Sequence, residues 1–242
     1  MNVLDEYSQI KEVAIRSPLS SFINNDKLLK EWSVLRFHSK PDLKQAIVEY
    51  QYFRGLLEDD GITLIDLPSS NQLTIDSIYT RDSILISKRG LILCNMGRSS
   101  RTPEAIENFN TLKSKKYEIA GKITAPGTLE GGDFIWIDDN HAAVGLGPRT
   151  NIDGIRQLKE ILGPTVDLHV VQLPDPNHPD DVLHLMSIIS PLDKDLALIY
   201  KPFMPESFTK WLNGLGIKFI EVSEAEYPSV SYTHLTLPTK DS

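Results

Sequence analysis

The feature that most constrains this chain is a repeat of about fifty residues in which two extended stretches, a helix and a further strand recur in that order. The best-defined copy runs from Phe134–Ile137 through the turn Asp138–Asn140 to Ala142–Leu146, a helix near Asn151–Leu162 and a strand at Val166–Leu173. An earlier copy pairs Ser83–Ser87 with Leu91–Asn95 around Lys88, Arg89 and Gly90, continues with a helix from Pro103 to about Ser114, and closes at Tyr117–Ile123. A later one uses His184–Ile189, Leu196–Tyr200, a helix at Pro205–Leu212 and Ile217–Val222. The first copy is weaker: Pro41–Asp59 has apolar residues mostly three or four apart, as an amphipathic helix requires, and Ile62–Leu67 follows as a strand. Asp82, Asp133 and His184 stand 51 residues apart, each at the head of a first strand. A ββαβ unit cannot bury its apolar face alone, so the units must pack on one another around a common axis.

Composition narrows the class further. The 242 residues are 40% hydrophobic and 24% charged, as expected of a globular α/β chain rather than a fibre or a disordered tail. A formal net charge of −8 disfavours nonspecific binding to phosphate backbones or anionic membranes. The single cysteine, Cys94, excludes an internal disulfide and any zinc site built on two thiolates. There is no apolar run of membrane-spanning length, and the N-terminal stretch carries acids where a signal peptide needs a basic flank, so a cytoplasmic location is expected.

The residues able to do chemistry sit in the turns at the heads of the units. If the units circle an axis, these heads converge: carboxylates at Asp82 and Glu130, arginines at Arg101 and Arg149, and the imidazole of His184. Carboxylates suit a guanidinium, which offers paired N–H donors, and arginines suit a carboxylate in the same bidentate manner. Asp82 precedes Arg101 by 19 residues, and Glu130 precedes Arg149 by 19. Each residue taken singly also has an ordinary reading: Asp82 as a turn or cap, Arg101 as a solvated partner of Glu104, Glu130 as a loop acid, His184 as a satisfied core histidine.

Taken together and in order, Tyr79-Thr80-Arg81-Asp82, Leu129-Glu130-Gly131-Gly132-Asp133, Arg149-Thr150-Asn151 with Gly154-Ile155, and Leu183-His184-Leu185 resemble the guanidino-group-modifying enzymes. These are the arginine deiminases, dimethylarginine dimethylaminohydrolases and amidinotransferases, and the resemblance covers about residues 10 to 228. It implies a pentein-type α/β propeller of ββαβ units, with four of five units present in a single domain over residues 1–228. It implies that Asp82 holds a guanidinium, that Glu130 holds it or supports the histidine, and that Asp133 lies in the substrate site. Arg101 and Arg149 would bind the carboxylate of an arginine-like substrate, with His184 as general acid and base. In that family a cysteine thiolate attacks the guanidinium carbon, an amine leaves with a proton from the histidine, and water releases the ureido product. No metal and no organic cofactor take part. A small guanidino compound is the implied partner, with no nucleic acid and no membrane, and a homodimer is left open. The rival of another class is a non-catalytic binding module, since the same fold also serves a ribosome-binding factor.

The sequence departs from the family in three places. Family members carry their nucleophile in a glycine-rich segment near the C-terminus, and nothing after Val222 resembles that unit, while Cys94 lies in an apolar strand where a thiol is usually buried and inert. Met186 stands where deiminases and amidinotransferases have an acid two residues after the histidine, which favours a substituted guanidino nitrogen and hence a dimethylarginine-hydrolase-like enzyme. Finally, Val230 to Thr239 is the in-frame translation of a common transposon-based sequencing adapter, so residues 229–242 are expected to be a non-native tail. The segment Pro174 to Asp181 combines His178 with several carboxylates, but its prolines make a stiff connection, a lid or rim rather than a metal loop. Long-read sequencing of the source DNA across codon 228 should show the frame continuing for about one further repeat, with a glycine-rich cysteine segment; a stop as printed would defeat the catalytic reading.

Overall fold

The computed structural model describes residues 4–115, 117–174 and 183–227. The chain divides into two compact units, Gln9–Gly131 and Met1–Ser8 together with Gly132–Ser242, each described in turn.

The first begins with strand β1 (Glu12–Ile15), followed by two short helices, α1 (Pro18–Ser21) and α2 (Asn25–Glu31). The side chains of Ser17 and Asn24 accept hydrogen bonds from the open N–H groups at the starts of these helices, and Pro18 fits the first helical position of α1. Helix α3 (Leu43–Asp59) starts at Asp42, whose carboxylate accepts from the Gln45 amide, and leads into β2 (Thr63–Asp66), parallel to β1. The hairpin of β3 (Ile84–Ser87) and β4 (Gly90–Leu93) comes next, then α4 (Glu104–Leu112) and β5 (Ile119–Lys122), parallel to β4. Ile65, Leu91, Leu93, Ala105, Phe109 and Leu112 form the core beneath these two sheets. A smaller cluster of Phe22, Leu28, Leu35 and Ile75 holds the α1–α2 segment.

The second unit contains two complete repeats. One comprises β6 (Phe134–Asp138), β7 (His141–Leu146), α5 (Ile152–Leu162) and β8 (Asp167–Gln172). The other comprises β9 (Ile189–Asp193), β10 (Leu196–Ile199), α6 (Glu206–Gly214) and β11 (Lys218–Glu221). In each, as in β3–β4–β5, the first strand is antiparallel to the middle one and the third is parallel to it. The parallel return needs the intervening helix as its crossover. A continuous core from Ile135 and Val171 to Leu185, Ile199, Phe208 and Leu212 joins the two repeats.

Two expectations are corrected. His184–Ile189 was expected to be a strand; instead Leu185–Ser187 forms a single 3-10 turn and β9 starts at Ile189. The Ser187 hydroxyl accepts from the His184 amide, a local pairing that competes with extended structure. The first repeat lacks an antiparallel first strand among the described residues, since β1 pairs only with β2. Helix α3 forms where expected but buries none of its residues: Val48, Tyr52, Phe53 and Leu56 are all exposed. Among the described residues no helix is long and apolar enough to cross a membrane. The adapter-like tail, residues 229–242, and most of the proline-rich segment, residues 175–182, lie outside the described residues.

In the second unit, β8 and α6 meet through a stack of rings. His169 lies 4.7 Å from Trp211 and 5.6 Å from Phe208, nearly parallel to both, and its Nε2 is buried with no hydrogen-bond partner among the described residues. Burial lowers the pKa of His169 below its ordinary 6.5, against a smaller opposing effect of Asp167. The unfolded chain therefore takes up this proton first. Stability is full above about pH 6.5 and falls as the pH drops through the lower native pKa. Replacing His169 by Phe should flatten the urea-unfolding stability profile between pH 7 and 5; a profile identical to that of the unmodified chain would refute the assignment.

Candidate active site

The three landmark residues occupy equivalent places. Asp82 lies in the 3-10 turn Thr80–Ser83, which runs directly into β3, and Asp133 ends the turn Gly131–Asp133, which runs into β6. His184 caps the turn Leu185–Ser187 ahead of β9. The repeat therefore places an acid, an acid and an imidazole at the same structural point of successive sheets.

In the first unit the site is a cluster of buried charge. The Arg101 guanidinium donates to both oxygens of Glu104, through Nε at 2.8 Å and Nη2 at 2.9 Å. It also donates to Asp82 at 2.7 Å and to the Tyr79 carbonyl at 3.0 Å. Arg101 is 4% exposed and Glu104 fully buried. Burial opposes the charge on Arg101, but the hydrogen bonds and charges of Glu104 and then Asp82 outweigh it and hold its pKa above the ordinary value. Glu104 is pushed up by burial, against the pull of Arg101. Removing one partner of such a cluster typically costs about 3–5 kcal/mol, because the remaining charge is left unpaired. Arg101 is thus not solvated: four of its N–H donors serve protein acceptors.

Glu130 is completely buried and accepts from the Arg98 amide at 3.0 Å. Its loop is held by the Leu129 amide donating to the Asn95 carbonyl at 2.8 Å, and by the Asn95 side chain donating to Gly127 at 2.6 Å. Gly131 allows the close passage this loop requires, since a Cβ there would stand 2.2 Å from the Arg81 carbonyl oxygen. Cys94, at the end of β4, is buried, and its thiol pKa is pushed far up by burial and then by the negative charges of Asp82 and Glu130.

In the second unit Asp133 is 1% exposed and accepts three hydrogen bonds: from the Thr150 hydroxyl at 2.7 Å, the Leu185 amide at 3.1 Å and His184 Nδ1 at 3.0 Å. A carboxylate oxygen accepts, so in this pair Nδ1 is the donor. Asp133, one of the two acids expected near the histidine, is bound to its ring. Gly145 makes room for it, as a Cβ there would lie 3.3 Å from Asp133 Oδ1 and 2.9 Å from Leu173. Arg149 is half-buried beside Thr150, at the end of the β7–α5 connection. Met186 packs against the apolar core of this unit.

Sequence reasoning passed over the roles of Thr150, Asp76 and Arg98, and read Glu104 only as a solvated partner of Arg101. Thr150 and Glu104 stand inside segments it had quoted, but nothing in a sequence says that a threonine is fully buried against a carboxylate. Replacing Thr150 by Val keeps its shape and leaves Asp133 one donor short, which should cost about 1–3 kcal/mol in urea unfolding. Serine at this position should restore most of it, and equal stabilities for all three proteins would show that the hydroxyl contributes nothing.

The arginine deiminase family model matches residues 64–218, a stretch that includes every one of these residues. A dimethylarginine dimethylaminohydrolase of Pseudomonas aeruginosa is 30% identical over 123 residues, which are 51% of this chain and 48% of that protein. The match thus spans about half the length of that relative. A protein of Aeropyrum pernix is 29% identical over 194 residues, 79% of this chain and 67% of its own. Among solved structures, the Pseudomonas aeruginosa enzyme complexed with citrulline aligns over 93% of this chain and 96% of its own, with 23% identity and a TM-score of 0.66. The N-terminal domain of a cyanobacterial arginine dihydrolase bound to substrate covers 89% of this chain and 77% of its own, with 15% identity and a TM-score of 0.73. These likenesses give the fold class, the pentein-type α/β propeller. With the family model matched over more than half of its length, the chain belongs to the arginine deiminase family of the guanidino-group-modifying superfamily.

Proposed function

We propose that this chain carries the guanidino-recognition and proton-transfer residues of a hydrolase acting on the guanidino carbon of arginine or a methylated arginine, in the manner of a dimethylarginine dimethylaminohydrolase. The observation that carries this reading is the buried Asp133 carboxylate holding His184 by Nδ1. A histidine kept for packing has no need of a buried acid, whereas one that passes protons through Nε2 needs its other nitrogen fixed. In this reading Asp82 and Glu130 receive the guanidinium, and Arg149 meets the substrate carboxylate. Arg101 keeps Asp82 charged and in place. His184 protonates the leaving amine and then takes a proton from the attacking water. The apolar Met186 supports a substituted guanidino nitrogen. We place the protein in the cytoplasm, with a small guanidino compound as its partner.

Cys94 does not serve as the nucleophile. It is the chain's single cysteine, and its thiol is buried and held protonated, so no thiolate is available to attack the guanidinium carbon. The 242-residue chain should therefore form no citrulline from L-arginine or dimethylarginine. It should nevertheless be stabilised by these ligands, by about 2.7 kcal/mol at a concentration one hundred times Kd, and Asp82→Asn should abolish that gain. Citrulline formation that is lost on Cys94→Ser would overturn the assignment of the thiol. Absence of any stabilisation by guanidino compounds would overturn the reading of the site.

The same burial of Cys94 favours one second reading, a binding module that recognises guanidino compounds without turning them over. An amidinotransferase or a deiminase shares the first chemical step and differs in the acceptor or in the leaving group.

A further inference from the structure

We propose that Arg98 and Asp76 are positioning residues that set the carboxylate of Glu130. The inference rests on the proposal that Glu130 receives a guanidinium, and it concerns how one short turn governs both acids of the first unit.

The turn is Ser99–Arg101, with Arg98 as its first flanking residue. Its two ends do different work. At the far end Arg101 donates to Asp82. At the near end the Arg98 amide donates to Glu130 Oε1 at 3.0 Å. The Arg101 amide bonds back to the Arg98 carbonyl at 2.9 Å, so displacement of one end carries the other with it. What keeps this turn in register is the Arg98 side chain. Its Nη1 donates to Asp76 Oδ2 at 2.7 Å and to the Leu35 carbonyl at 3.2 Å. Asp76 is 3% exposed, in the 3-10 turn Ile75–Ile78.

The burial pattern separates this pair from an ordinary surface ion pair. A solvated pair contributes little, because water competes for both partners. Asp76 is buried, so loss of Arg98 leaves its carboxylate without a cation and the turn without its anchor. Glu130 is buried too, and a carboxylate in that setting takes its orientation from whichever fixed donors reach it. The main-chain N–H of Arg98 is such a donor, and no substitution at Arg98 other than proline removes it. The side chain acts through the amide: it determines where that N–H points.

The test uses the whole chain with 13C-labelled glutamate carboxyls, the Glu130 resonance being assigned by its loss in Glu130→Gln. Arg98→Met and Asp76→Asn should both displace this resonance in the same direction and weaken L-arginine binding about tenfold, the effect of one hydrogen bond to a charged group. Arg98→Lys retains the cation for Asp76 and should give a smaller displacement of the same sign. It is also the deciding variant should the other two fail to fold. Arg156→Met, at an exposed ion pair with Asp153, should change neither readout. A Glu130 resonance unmoved in folded Arg98 and Asp76 variants would overturn the inference. A chain that binds no guanidino compound would defeat the functional reading, while the carboxyl resonance would still decide the positioning role.

Discussion

A buried ionised group must be matched where it stands, and the first unit of this protein is organised around that requirement. Arg101 is charged at a position water scarcely reaches, and Glu104, Asp82 and the Tyr79 carbonyl converge on it from α4 and from the turns before β3. Glu104 is thereby buried in the first turn of a helix, where the helix dipole favours a negative charge. In the loop between β4 and α4, Arg101 reaches both acids from the end of a 3-10 turn. That turn in turn delivers the Arg98 amide to Glu130.

The second unit answers the same requirement without an arginine. Asp133 is as deeply buried as Arg101, but it is balanced by a hydroxyl, an amide and an imidazole rather than by a full charge. The bond to Nδ1 fixes the orientation of the His184 ring. Two equivalent turns of one repeat have thus been adapted differently: Asp82 bonds to a guanidinium and Asp133 to an imidazole.

Much of the architecture was legible because the period of the repeat is long and its landmarks are chemical. The order of strands and helices from β3 to β11 follows from apolar spacing and turn residues, and observed boundaries fall within a few residues of those expected. Where the reading went astray, a local side-chain bond or a missing neighbour was responsible. At His184–Ile189 the apolar residues suggest a strand, but the Ser187 hydroxyl and the histidine's tie to Asp133 favour a turn. In α3 the apolar spacing is genuine and the helix forms; Leu43 and Ala46 pack against the cluster of Phe22 and Leu28, while Val48, Tyr52, Phe53 and Leu56 stay exposed, a division that periodicity does not show.

The sequence alone determined the repeat, the residue types at its heads and the presence of a single thiol in an apolar strand, because these depend on spacing and composition. Tertiary structure decided which acid serves which base. Asp133 holds His184, and Arg101 is committed to Glu104 and Asp82, because hydrogen bonds are decided by distances of about 3 Å between side chains that the sequence does not place. Spacing along a chain places residues in the same turn of successive units, but only packing sets which of their atoms meet.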